Sequence, residues 1–88
     1  MEIEHGVTVK VLFFAQAKEL AGTRESTLYL PQKLSYGQLL NIITEKFNLE
    51  KIKKNILLAK NEEVCEDTID IDLSECDNIA VIPPLSGG

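Results

Sequence analysis

Residues 7–16 read VTVKVLFFAQ, and the fold is decided there. β-Branched and aromatic side chains crowd the stretch, with Val7, Val9, Val11 and Phe13 alternating against Thr8, Lys10, Leu12 and Phe14. A strand of period two sends the first set to one face and the second to the other. The first set is apolar throughout and belongs to a core. The second begins polar and ends apolar, which leaves Leu12 and Phe14 facing the side where water is expected. Two readings of that pair stand open: a loop covers it, or it is the centre of a partner-binding patch.

Working outward, AQAKELAG (15–22) predicts a short helix of good formers, stopped by Gly22 where a left-handed residue is wanted. TRESTLYLP (23–31) alternates Thr27 and Tyr29 with Leu28 and Leu30, and Pro31 closes the ladder for lack of an N–H. This predicts a second, antiparallel strand. Ser35 and Gln38 have the spacing of a capping box, and Tyr36, Leu39, Leu40, Ile43 and Phe47 recur at helical spacing up to a stop at Asn48. They predict the main helix. Short strands follow: Ile56–Lys60, a turn at Asn61 and Glu62, a return through Val64 and Cys65, an alternation of Ile69, Ile71 and Leu73 with acids, and IAVI before Pro83 and Pro84. The expected class is α+β, a compact roll in which one main helix and one short helix accompany a small mixed sheet. The sequence leaves the sense of the last strand open.

With 88 residues the chain holds one domain and one modest core, of the size that buries somewhat more than roughly 60% of its unfolded surface. The net charge is −5, and eight acids fall in positions 62–77 without a Lys or Arg. Phosphate tracking needs cations, so nucleic acid is not an expected partner. The acidic run reads either as a solvated, self-repelling face or as a docking surface for a basic partner. Lys51, Lys53, Lys54 and Lys60 are too few for a polybasic membrane signal. No apolar run approaches the roughly 20 residues of a membrane span, and MEIEHG lacks the features of a signal peptide, so a cytoplasmic protein that engages no membrane is expected. Cys65 and Cys76 have no zinc-ligand spacing and read as reduced structural thiols, with a redox role as the alternative; no metal site is expected.

A catalytic constellation within the chain is not legible. His5 is the sole histidine, and it stands far from Ser26, Ser35, Ser74 and Ser86 in sequence. No phosphate-cradling glycine loop occurs. The end of the sequence, AVIPPLSGG (80–88), is the remaining candidate. Pro83 and Pro84 favour an extended exit from the sheet, and Gly87 and Gly88 strip side chains from the tip. Residues 84–88 would reach about 17 Å when extended, slim enough for a narrow tunnel. A carboxylate there is a poor acyl donor until joined to AMP, after which a sulfur nucleophile could displace the AMP. A loose terminus is the plain alternative.

FFA-x-x-x-E-L-x-G at 13–22, together with I-P-P-x-S-G-G at 82–88, resembles the small, ubiquitin-like subunit family of molybdopterin synthase, with similarity from Val9 to Gly88. The resemblance implies a β-grasp body over residues 1–83 and a flexible Gly-Gly tail over 84–88. It implies a sulfur carrier whose Gly88 carboxylate is adenylated by an activating enzyme using Mg-ATP and converted to a thiocarboxylate. The tail would then enter the large synthase subunit, where sulfur passes to cyclic pyranopterin monophosphate to build the dithiolene of molybdopterin. No tightly bound cofactor is implied. Gly88 would bear the sulfur and Gly87 would be its slim neighbour. Pro83, Pro84, Leu85 and Ser86 would form the linker, and Leu12, Phe14 and Ile82 would belong to the apolar surface that meets partners. Two small and two large subunits are typical of that family. A related carrier for another thiolation or conjugation pathway, and a non-catalytic interaction domain, are the alternatives. Two positions depart from the family pattern. Lys18 stands where an arginine fork is usual, and Cys76 replaces the glycine before the acid of the last turn, which puts a left-handed backbone there in question.

Overall fold

The computed structural model describes residues 5–83. The chain runs β1 (Gly6–Phe13), α1 (Ala15–Ala21), β2 (Glu25–Pro31), β3 (Lys33–Leu34), α2 (Tyr36–Phe47), a 3-10 helix (Glu50–Asn55), β4 (Leu57–Lys60), β5 (Glu63–Val64), β6 (Ile71–Asp72) and β7 (Asn78–Ile82). Five strands make a mixed sheet in the order β2-β1-β7-β4-β5, and β3 pairs with β6 in a second sheet of two strands. β1 is antiparallel to β2 and parallel to β7, so the first and last long strands lie side by side at the centre. This is the arrangement of the β-grasp fold.

The alternation in residues 7–13 is realised in full. Val7, Val9, Val11 and Phe13 are buried, as are Leu28 and Leu30 from β2 and Ile79 and Val81 from β7. Leu39 and Ile43 of α2 close the core over that face, and full burial of each stabilises by roughly 1.5–3 kcal/mol. Phe13 meets Phe47 edge to face with ring centroids 4.7 Å apart. Both helix signatures hold. Gly22 (φ 77°) and Asn48 (φ 64°) end their helices in the left-handed conformation, and the Ser35 Oγ accepts from Gln38 N (3.1 Å) while Gln38 Oε1 accepts from Ser35 N (2.9 Å). Tyr36, Leu40 and Phe47 are half-buried at the edge of the stripe.

Several expectations need correction. A third helical element, the 3-10 helix, joins α2 to β4 and buries Ile52, between buried Leu49 and Ile56. The two-residue strands β3 and β6 form a pair that a period-two reading is too coarse to find. In the 69–73 alternation only Ile71 and Leu73 are buried; Ile69 is 57% exposed, because pairing begins at Ile71. Cys76 keeps the left-handed backbone at φ 68° although it carries a Cβ, and its N–H donates to the carbonyl of Thr8 (2.9 Å). Cys76 is exposed rather than structural, whereas Cys65 is half-buried and burial pushes its thiol pKa up. The acidic run is not uniformly solvated either. Glu75 Oε1 accepts from Thr8 N (2.8 Å), and the Asp77 carboxylate accepts from Asn61 Nδ2 (3.0 Å) and Ser74 N (2.8 Å).

The sheet face away from the main helix

Strand parity places Thr8, Lys10 and Leu12 of β1 opposite its core residues, and the same holds for Asn78, Ala80 and Ile82 of β7. Registers align these outward residues across the sheet. Leu12 stands opposite Ala80, Ala80 opposite Ala59 and Ala59 opposite Val64, while Leu57 faces Ile82. On its other side Leu12 is opposite Glu25, so one row crosses all five strands. Small side chains in the middle of the row, between Leu12 and Val64, leave a groove of about 530 Å³, into which Phe14 and Ile82 also project. Phe14 is 48% exposed, Val64 58% and Leu57 44%.

Two local features set the borders of this groove. At one end, Phe14 N–H donates to the Val81 carbonyl (3.3 Å), and Ala15 follows with φ 49°. A left-handed alanine costs about 1–2 kcal/mol, and it swings the chain out of β1 into α1 beside the end of β7. At the other end, Asn61 and Glu62 both have positive φ (48° and 74°), the geometry of a two-residue type I′ hairpin between β4 and β5. Asn61 also donates its N–H to Asn78 O (2.9 Å), and its Oδ1 accepts from Asn78 N (2.9 Å). The hairpin and the start of β7 are thereby tied together. Separate bonds, donated by Asn61 Nδ2 and Ser74 N to the Asp77 carboxylate, hold that carboxyl below its usual pKa.

Of the residues expected to act, Leu12, Phe14 and Ile82 share this face, which answers the question raised by the apolar end of β1: among the described residues no loop covers it. Pro83 is buried, so its ring is part of the folded body rather than of a free linker. Pro84, Leu85, Ser86, Gly87 and Gly88 lie outside the described residues. Sequence reasoning missed Ala80, Ala59, Leu57 and Val64. Parity along IAVI would have yielded Ala80 once Ile82 was placed, but the other three need the strand order. Lys18 lines a smaller recess with Phe14 and Arg24 on the α1 side of the face. Among the described residues no group of three or more His, Cys, Asp or Glu side chains is placed to hold a metal ion. No helix among them is long and apolar enough to cross a membrane.

A family model described as the ThiS family matches residues 11–88, from the outward end of β1 through both glycines. The chain belongs to the ThiS family. Its similarity extends to the molybdopterin synthase sulfur carrier subunit of Drosophila sechellia, 46% identical over 83 residues that cover 93% of this chain and 92% of that protein. The solution structure of small archaeal modifier protein 1 from Methanosarcina acetivorans superposes with a TM-score of 0.73 at 27% identity, covering 96% of this chain and 99% of that one. A chain from the complex of subunits 1 and 2 of molybdopterin-converting factor of Helicobacter pylori shares the fold, with a TM-score of 0.67 at 24% identity over 93% of this chain and all of that one. The β-grasp architecture expected of the family is thus the one this ThiS-family chain adopts.

Proposed function

We propose that this chain is the sulfur carrier subunit of a molybdopterin synthase, with the apolar row as its docking face and Gly88 as its reacting residue. The observation that carries the reading is the 46% identity to a molybdopterin synthase sulfur carrier subunit over nearly all of both chains. The geometry supports it: the apolar face lies beside the end of β7, from which the sequence continues into LSGG. A partner seated on Leu12, Phe14 and Ile82 would hold the root of the tail. Residues 84–88, extended, would span about 17 Å into that partner.

In this reading the Gly88 carboxylate attacks the α-phosphate of Mg-ATP on an activating enzyme, pyrophosphate leaves, and a sulfur nucleophile then displaces AMP to give the thiocarboxylate. This chain needs no bound cofactor and no general acid or base for those steps. Its contribution is to present a slim acyl group and to dock, first on the activating enzyme and then on the large synthase subunit. There the sulfur passes to cyclic pyranopterin monophosphate, two carriers serving two large subunits. In this reading the carrier meets both partners in the cytoplasm.

Intact mass after incubation with the activating enzyme, ATP and a sulfur donor tests the chemistry. Exchange of one oxygen for sulfur is expected in the native chain. Deleting Gly88, or adding one residue after it, should abolish productive transfer without altering the fold, because the reacting carbon moves by about 3.5 Å. Full transfer in either variant would refute a terminal mechanism. A second reading, attachment of the tail to lysines of other proteins, is favoured by the likeness to small archaeal modifier protein 1. Covalent adducts of this chain in cell extracts, lost on deletion of Gly88, would support it.

A further inference from the structure

A second groove, of about 310 Å³, lies between β5 and the segment leading into β6. Val64, Ile69 and Ile71 supply its apolar surface, and Glu63, Glu66, Asp70 and Asp72 stand around it. Ile69 has the spacing of a core residue yet is 57% exposed, and Val64 is 58% exposed on the same groove. Two exposed β-branched side chains in one recess keep apolar area in water that a partner would cover. None of the four carboxylates forms an ion pair or a side-chain hydrogen bond among the described residues. Lys60, the cation lining the groove, directs its Nζ to the carbonyl oxygen of Asp72 (2.8 Å). Val64 also lines the sheet-face groove, so the two recesses adjoin at that residue.

We propose that this groove receives an extended basic segment of a protein partner, with an apolar side chain against Val64 and Ile69 and flanking Lys or Arg side chains at Glu66 and Asp70. Charge selects that occupant. Nucleic acid and anionic lipid surfaces would meet four carboxylates, and a second copy of the chain brings a net charge of −5. Because the two recesses meet at Val64, a protein seated on the sheet face has this groove directly beside it and can extend a strand or loop toward it. The carboxylates would steer the approach of the segment, and the apolar contact would set its register.

The test uses the full chain, isotope-labelled, titrated with an end-blocked peptide Lys-Lys-Leu-Arg-Lys while backbone amide shifts are followed. Saturable shifts confined to residues 63–72 are expected. Replacing the peptide's leucine by serine should weaken binding about tenfold, as should Ile69→Ser or the pair Glu66→Lys and Asp70→Lys in the protein. All of these protein positions are exposed, and an unchanged amide spectrum elsewhere verifies the fold. Raising salt from about 0.05 M to about 0.5 M should weaken the leucine peptide further. Shifts spread over the whole acidic surface, equal binding of leucine and serine peptides, or no shifts would overturn the proposal. Concentration-dependent shifts at 63–72 without peptide would also overturn it, by assigning the groove to a second copy. The outcome does not depend on sulfur transfer at Gly88.

Discussion

Asp77 shows how one side chain can do structural work inside a run of acids that looks merely solvated. Its two carboxylate oxygens accept from Asn61 Nδ2 and Ser74 N, and its carbonyl accepts from Lys10 N (2.8 Å), so it joins three segments at the start of β7. Hydrogen bonds to the ionised form hold the Asp77 pKa below its unfolded value. That stabilisation is present in full above the unfolded carboxylate pKa and is lost as pH falls through the lower folded one. Melting temperatures of the native chain and Asp77→Ala should therefore differ by a constant amount from about pH 7 to about pH 5 and converge below about pH 4. A difference that grows on acidification would contradict this role. The Ser74 bond spans only three residues, but the sequence could not single out Asp77 among its acidic neighbours, because Asn61 meets it only after β4 and β7 pair. Cys76 is a different case: standing where the family has glycine, it put a left-handed backbone in question, and the structure shows that the turn survives a side chain.

At the scale of elements, the most legible were those whose signals are local. Ser35 and Gln38 contact each other across three residues, so the capping box could be read without the rest of the fold. Ser35→Ala should lower unfolding free energy by about 1 kcal/mol in denaturant titration with an unchanged m-value. Loss of activity without loss of stability would show that the cap is not the reason for the serine. Gly22, Asn48 and the Asn61–Glu62 hairpin were equally local. The 3-10 helix and the pair β3–β6 were not, because each is too short to establish a period. Tyr36 belongs to both classes. Its place on α2 is periodic, but its hydroxyl donates to Ile56 O (3.4 Å) and accepts from Leu58 N (3.3 Å), a link to β4 that spacing cannot show.

On the scale of the whole molecule, the two faces of the sheet have different tasks: one carries the core under α2 and the other carries the row centred on Ala80 and Ala59. A charge in the middle of that row would be desolvated by a partner and tolerated by water without one. Ala80→Glu should therefore weaken association with the large synthase subunit at least about tenfold, measured by calorimetry, while circular dichroism remains that of the native chain. Undiminished association would remove the row from the interface.

Alternation in residues 7–13, the helical stripe from Tyr36 to Phe47 and the end motif determined the class of fold and the residues to suspect, because each depends on neighbours within a few positions. Only the tertiary structure decided that the last strand lies parallel to the first, that Ala80, Ala59 and Val64 complete the face begun by Leu12, and that Ile69 is exposed. Strand order brings together residues as far apart as Leu12 and Ala80, and no periodicity within either segment encodes which outward-facing residue meets which.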